Sequence, residues 1–174
     1  MDFFTGVKLG FELFWGIITA EPMLTLVLVI FFIGSVVLAS IVTFFRQQKL
    51  KKSGILEVDK MKGKVFEEYL QVLLRNKGYK ANLTSVTGDY GADLVLSNND
   101  KKIVVQAKRY KKKVGLKAVQ EVVSAKNYYK ADECWVITNN YFTAPAVKLA
   151  HSNNVLLIDR DLLMKWMLEI KKGA

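Results

Sequence analysis

The sequence predicts an α/β domain with a mixed central sheet, preceded by a transmembrane helix. Three observations predict it. The run from Pro22 to Phe45 contains no charged residue. Three strand-like segments follow one another before the pattern changes to alternating helices and strands. The formal net charge of +10 belongs to the part after residue 50, because residues 1–50 balance three basic against three acidic side chains.

The apolar run 22–45 is predicted to span a membrane. Its 24 residues are enough to cross a hydrocarbon core of about 30 Å as a helix. A signal peptide is disfavoured, because the N-terminus lacks a basic region and the run is too long. A buried core helix is the weaker alternative, because this helix would be apolar on every face. The basic segment 46–52 follows the run, so the positive-inside rule predicts a cytoplasmic domain after it.

Residues 1–21 leave two interpretations open. Lys8 and Glu12 share one helical stripe, and Phe4 and Val7 lie on another. The segment is either an interfacial amphipathic helix or a second, membrane-inserted span. The cost of Lys8 and Glu12 in lipid favours the interfacial helix. One span would place the N-terminus outside the cell, and two spans would place it inside. Both arrangements leave the C-terminal domain in the cytoplasm.

The elements of the C-terminal domain follow from periodicity and turn residues. Residues 46–60 are predicted to be a basic juxtamembrane linker and residues 61–174 a domain with the order α-β-β-β-α-β-α-β-α. The predicted helices cover 61–76, 116–129, 143–152 and 161–171, and the predicted strands cover 79–86, 93–97, 102–109, 133–138 and 155–159. Three consecutive strands followed by β-α units imply a mixed sheet with helices on both faces.

The composition limits the chemistry. A soluble part this basic predicts a polyanionic partner, either nucleic acid or an anionic membrane surface. Cys134 is the only cysteine, which excludes an internal disulfide framework and fits a reducing compartment. His151 is the only histidine. A nuclease site built on paired histidines is therefore disfavoured.

A candidate site lies between residues 93 and 108. In a strand, Gln106 and Lys108 point to one face and Ala107 to the other. Asp93 begins the neighbouring antiparallel strand, so its carboxylate is predicted to lie near both polar side chains. The Asp93 carboxylate, the Gln106 carbonyl and the backbone carbonyl of Ala107 are hard oxygen ligands of the kind that Mg²⁺ prefers. The Lys108 amine would orient a water or stabilise charge on a phosphate.

Glu67 is predicted to be the fourth member of this site. On a helical wheel it lies about 20° from Leu74, at the border of the apolar face, whereas Glu68 points to solvent. A helix Glu, a strand Asp and a strand Gln-x-Lys together make a metal-dependent phosphodiester hydrolase site without a histidine. The alternative is a solvated strand face with a salt bridge.

The basic run KRYKKK at 108–113 is predicted to contact phosphates. Its candidate nucleic-acid-binding residues are Arg109, Tyr110, Lys111, Lys112 and Lys113. A solvated edge or turn is the alternative for the run, and packing is the alternative for Tyr110.

Between about Met61 and Met167 the chain resembles the catalytic domain of Mrr-type restriction endonucleases, in the PD-(D/E)xK nuclease superfamily. The matching segments are M-x-G-x-x-F-E at 61–67, G-D-Y-G-A-D at 88–93, V-Q-A-K-R-Y at 105–110, and the stretches 114–126 and 136–159. The resemblance implies a restriction-endonuclease-like αβββαβ core. It also implies Asp93 and Gln106 as metal ligands, Lys108 as catalytic and Glu67 as a supporting carboxylate. Gln106 replaces the acidic residue of the usual superfamily motif, as it commonly does in this branch. Gln120 opens the family's Val-Gln-Glu stretch and joins the candidate nucleic-acid contacts.

The function that these patterns predict is a membrane-anchored, cytoplasm-facing DNA endonuclease that uses Mg²⁺, with Mn²⁺ as a substitute. Its predicted partners are double-stranded DNA and the lipid bilayer, and a homodimer is left open. Restriction of foreign or modified DNA is the expected role. Two alternatives remain open: a non-catalytic DNA-binding or tethering module of nuclease fold, and a protein whose basic face lies on anionic lipid.

Overall fold

The computed structural model describes the backbone of residues 3–20, 22–52, 54–85, 90–99 and 101–172. The chain divides into two compact units, Met1–Arg46 and Gln47–Ala174. The end of the predicted first strand at Val86 and the first two residues of the motif at 88–93 lie outside the described residues.

The apolar N-terminal part forms two helices, α1 (Phe3–Ala20) and α2 (Pro22–Lys52). Among the described helices, one contains a segment that is long and apolar enough to cross a membrane. This segment is Pro22–Phe45 of α2, and its most apolar part is not buried inside the protein. Within α2, the hydroxyls of Ser35, Ser40 and Thr43 donate to carbonyls three or four residues earlier. These polar groups therefore need no water, as an apolar environment requires. The position of α1 at or in a membrane remains a prediction.

Part of the stretch expected to be a linker is folded into the second unit. Helix α3 (Ile55–Val58) buries Val58 completely, and the Gly54 N–H donates to the Glu57 carboxylate at 3.1 Å. Asp59, directly after α3, forms an ion pair with Arg160 at 2.8 Å. One buried side chain in a four-residue helix creates no periodicity, which is why the sequence pattern did not predict it.

The rest of the unit has the predicted order of elements. The helices are α4 (Gly63–Asn76), α5 (Leu116–Tyr128), α6 (Ala144–Ser152) and α7 (Arg160–Lys172). The strands are β1 (Lys80–Leu83), β2 (Leu94–Asn98), β3 (Lys101–Lys108), β4 (Glu133–Thr138) and β5 (Val155–Ile158). They form one five-stranded sheet in the order β1-β2-β3-β4-β5, antiparallel from β1 to β3 and parallel from β3 to β5. The predicted mixed sheet is confirmed.

Helices cover both faces of the sheet, and strand β3 divides its side chains between them. Ile103, Val105 and Ala107 belong to the core that α4 and α7 cover. Val104 belongs to the core that α5 and α6 cover. Because side chains alternate along a strand, Gln106 and Lys108 point to the same face as Val104, beneath α5.

Candidate active site

Asp93 and Gln106 lie side by side on neighbouring strands. Asp93 directly precedes β2, and the pairing of Leu94 with Val105 places it opposite Gln106. The Gln106 side-chain amide donates to Asp93 Oδ2, and the same oxygen accepts the Ala107 backbone N–H at 2.7 Å. Gln106 is only 4% exposed. The structure therefore brings these two predicted residues together and fixes each through the other.

Backbone groups on both sides hold Asp93 in place. The Thr84 N–H donates to the Asp93 carbonyl at 3.0 Å, and the Thr84 hydroxyl donates to the Ala92 carbonyl at 2.6 Å. On the other side, Ala107 turns its N–H toward Asp93. In an extended strand the N–H and C=O of one residue point the same way. The Ala107 carbonyl therefore points to the side of β3 on which Asp93 lies.

Lys108 ends β3 on the same face as Gln106, and its amine forms an ion pair with Glu121 of α5. The distance from Lys108 Nζ to Glu121 Oε2 is 2.8 Å, and the two side chains are 18% and 29% exposed. Sequence reasoning missed Glu121. Glu121 directly follows Gln120 in the stretch that resembles the Mrr family, and this position was the available signal. The residue predicted from that stretch was Gln120, which is exposed.

Gly91 brings the segment before Asp93 against α5. Its φ is +91°, and a Cβ at this position would lie 2.5 Å from the Glu121 carbonyl oxygen. Only glycine fits this close approach and this left-handed conformation. The neighbouring Tyr90 has φ 49° and stacks on Tyr128 with ring centroids 3.7 Å apart.

Glu67 and Glu68 both lie on α4 and are both partly buried, so their burial does not separate them as the helical wheel predicted. The buried side chains of α4 all belong to the core on the other face of the sheet from Gln106 and Lys108. The part of Glu67 in the site remains a prediction.

The basic segment after β3 is mostly exposed. The side chains of Tyr110, Lys111, Lys112 and Lys113 are open to solvent. Arg109 is half-buried, and its Nε is buried without a hydrogen-bond partner among the described residues. These positions border the site directly, because the segment continues from Lys108.

A polar cluster fixes the chain where β3, β4 and β5 end. Arg160 donates to both carboxylate oxygens of Asp59 at 2.8 Å and to the Asn139 carbonyl at 2.8 Å. Asn139 donates to Asp59 and accepts the Tyr110 N–H, both at 2.8 Å. The hydrogen bonds from Arg160 hold the pKa of Asp59 below its ordinary value, against the effect of burial. The cluster connects α3 to the start of the basic segment.

The donor set at Asp93 fits a hard divalent cation. It offers the Asp93 carboxylate and the Ala107 carbonyl, and the Gln106 amide oxygen would join them once the amide turns its NH2 group away from Asp93. Mg²⁺ typically takes one or two carboxylates and completes its shell with waters and substrate phosphates. Among the described residues there is no group of three or more His, Cys, Asp or Glu side chains that would hold a metal. A cation here would depend on backbone, amide and substrate oxygens beside Asp93.

Comparisons with known proteins agree with this architecture. Residues 58–167 match the family model Mrr_cat, described as restriction endonuclease. None of the curated proteins matches the chain. Among solved structures, the chain is similar to the DNA modification-dependent restriction endonuclease AspBHI, with 18% identity and a TM-score of 0.53 over 74% of this chain and 36% of that one. It is also similar to a protein of unknown function, AF1548, with 16% identity and a TM-score of 0.49 over 62% of this chain and 65% of that one.

The likeness to AspBHI is one of fold, because the identity is low and this chain spans about a third of that protein. Together with the family match, it confirms the restriction-endonuclease-like core. The family also supports a nuclease role, with DNA as the substrate that the family implies.

Proposed function

The chain belongs to the Mrr_cat restriction endonuclease family, and we propose that it is a membrane-anchored, Mg²⁺-dependent DNA endonuclease. The observation that carries the proposal is the pairing of Asp93 with buried Gln106, next to Lys108 on the same face of β3. A buried amide and a carboxylate fixed by a backbone N–H are expected of a preorganised site rather than of a solvated strand face.

The positions of Asp93, Gln106, Ala107 and Lys108 support a role for each of them, and the role of Glu67 follows from the family resemblance alone. Asp93, Gln106 and the Ala107 carbonyl would hold the cation, and Glu67 would be a supporting carboxylate. Mg²⁺, or Mn²⁺ in its place, would supply an activated water and charge neutralisation at the scissile phosphate when bound. Lys108 places a fixed positive charge where negative charge develops on that phosphate. The Ala107 N–H keeps Asp93 oriented before substrate arrives.

Double-stranded DNA enters along the exposed segment after β3. Arg109, Lys111, Lys112 and Lys113 supply cationic contacts to phosphates, with Tyr110 and Gln120 at the border of the site. Both strands of the DNA duplex must be cut, so a homodimer with two sites would serve double-strand cleavage.

The anchor is the helix over Pro22–Phe45. Its basic continuation at 46–52 stays in the cytoplasm, together with the nuclease domain. The proposed division is an amphipathic or inserted helix over 1–21, the span 22–45, a basic connection over 46–60 and the Mrr-like domain over 61–174. The lipid bilayer is then a second partner.

The proposed role is restriction of foreign or modified DNA. Two printed descriptions motivate it: the family is one of restriction endonucleases, and AspBHI depends on DNA modification. A nuclease held at the cytoplasmic side of a membrane would meet DNA as it enters the cell.

The test is cleavage of methylated and unmethylated plasmid by the full chain in detergent micelles, with Mg²⁺ and with EDTA. Lys108→Ala should lower Mg²⁺-dependent cleavage by about 10²–10³-fold, because a preorganised charge is lost, while DNA binding is retained. Lys102→Ala, on the same face of β3, is the matched control and should cut like wild type. Full cleavage by Lys108→Ala would contradict the catalytic role proposed for Lys108.

A non-catalytic DNA-binding or tethering module is the second candidate. The exposed side chains of Lys111, Lys112 and Lys113 favour it, because such a segment can bind DNA phosphates whether or not the site cuts. Such a module would bind both plasmids without cutting them, and its affinity would weaken steeply with salt.

A further inference from the structure

We propose that Glu121 is the positioning residue for Lys108: a carboxylate on α5 that holds the lysine amine at the cleavage site. The inference rests on the proposed nuclease function and adds a residue that neither the motif nor the comparisons assign. It begins from the 2.8 Å ion pair between Lys108 Nζ and Glu121 Oε2.

The environment of this ion pair is partly closed to water. With side chains 18% and 29% exposed, the two charges are screened less than a surface pair would be. The contact is an ion pair without the angles of a hydrogen bond, and Glu121 Oε2 is buried with no hydrogen-bond partner among the described residues. Because this buried oxygen lies 2.8 Å from the lysine amine, the ion pair compensates for the water that the carboxylate has lost. Each of the two charged groups therefore depends on the other to stay where it is.

Glu121 is also fixed through its backbone. The Gly91 backbone lies so close to Glu121 that a Cβ at Gly91 would meet its carbonyl oxygen at 2.5 Å and its carbonyl carbon at 2.8 Å. Gly91 stands two residues before Asp93. The same helical residue therefore sets the position of the Asp93 segment and, through its side chain, the position of Lys108.

The charge balance of the site gives Glu121 its importance. Gln106 is neutral at the position where the superfamily motif usually has an acid, so β2 and β3 bring one carboxylate, that of Asp93, to this face beside the Lys108 cation. Glu121 adds a second negative charge next to the amine. It holds the Lys108 amine in one place in a site that must also admit a phosphate.

The experiment uses the full chain in detergent micelles and two readouts. Glu121→Gln keeps the size of the side chain and removes its charge. Its cleavage rate should fall by about 10–100-fold, as expected for residues that orient a catalytic group, with DNA affinity unchanged. In the absence of DNA, acylation of Lys108 by acetic anhydride, followed by mass spectrometry, should become several-fold faster, because the amine is no longer held by a carboxylate.

The controls separate this inference from its premise. Glu133→Gln breaks the ion pair between Lys101 and Glu133 at the other end of the strand (3.0 Å) and should change neither cleavage nor Lys108 acylation. Glu121→Asp keeps the charge and should retain more activity than Glu121→Gln, which tests the inference even if the latter folds poorly. Wild-type cleavage with equal or faster cutting by Glu121→Gln would overturn the positioning role, as would slower cutting with unchanged Lys108 acylation. If wild type does not cut, the nuclease proposal fails, and the acylation rates still decide whether Glu121 holds Lys108.

Discussion

The two ends of β3 carry nearly the same polar contacts in very different surroundings. At the amino end, the Lys102 N–H donates to Asp132 Oδ2 at 2.7 Å. Lys101 forms an ion pair with Glu133 at 3.0 Å, and its side chain is 69% exposed. An aspartate on a backbone N–H and a lysine–glutamate pair therefore already exist where no chemistry is expected.

At the carboxyl end, the Ala107 N–H donates to Asp93 Oδ2 at 2.7 Å, and Lys108 forms an ion pair with Glu121. Here the same types of contact are partly buried, and buried Gln106 joins them. Water screens the charges at the amino end. At the carboxyl end the charges lie under α5, where they are less exposed to water and interact more strongly. The contrast shows that the distances alone do not distinguish the proposed site from the amino end; its burial and the convergence of its polar groups do.

The strongest test of this contrast is to remove each aspartate charge in turn. Asp93→Asn should lower cleavage by on the order of 10³-fold, since several kcal/mol of charge stabilisation are lost with the ligand. Asp132→Asn alters an equal hydrogen bond at the exposed end and should cut within about twofold of wild type. Single-turnover cleavage of plasmid measures both. Similar losses in the two variants would mean that the aspartates serve the fold alone.

The glycine before Asp93 gives the next largest effect. Gly91→Ala combines a φ of +91° with a Cβ only 2.5 Å from the Glu121 carbonyl oxygen, so it should lower the free energy of unfolding by about 2–4 kcal/mol. Gly78 has a similar φ of +93° but open space around it. Gly78→Ala should therefore cost about 1–2 kcal/mol. Urea unfolding followed by tryptophan fluorescence measures the difference, and equal losses would disprove the tight approach to α5.

Much of this architecture was predictable because it depends on local patterns. Strand alternation and the short turn between β2 and β3 were enough to place Asp93 opposite Gln106. The helical wheel put Glu67 at the border of the apolar face of α4 and Glu68 toward solvent, but both side chains are partly buried. It did not tell which face of the sheet α4 covers, because periodicity describes one element and not the packing between elements.

The missed residues depend on contacts between distant elements. Glu121 reaches Lys108 because of how α5 lies across the sheet, which no spacing in the sequence encodes. Asp59 and Arg160 are 101 positions apart in the sequence. Each looks like an ordinary surface charge in its local sequence context. Only the folded chain brings them together at the strand ends.

The smallest expected effect is on the pH dependence of stability. It compares Asp59, near the carboxyl end of β3, with Glu133, near its amino end. The pKa of Asp59 is lowered chiefly by its hydrogen bonds to Arg160, and that of Glu133 by its hydrogen bond to Lys101. A lowered pKa means that each carboxylate stabilises the fold above its unfolded pKa of about 4 and loses that effect as the pH falls through its folded pKa. Asp59→Asn should thus cost about 1–3 kcal/mol at pH 7, and its difference from wild type should shrink below about pH 4. Glu133→Gln removes a more exposed charge and should cost at most about 1 kcal/mol at pH 7. Thermal unfolding from pH 7 to pH 3 measures both variants, and a larger loss for Glu133→Gln would contradict the stronger contribution expected of Asp59, which is paired through both of its carboxylate oxygens.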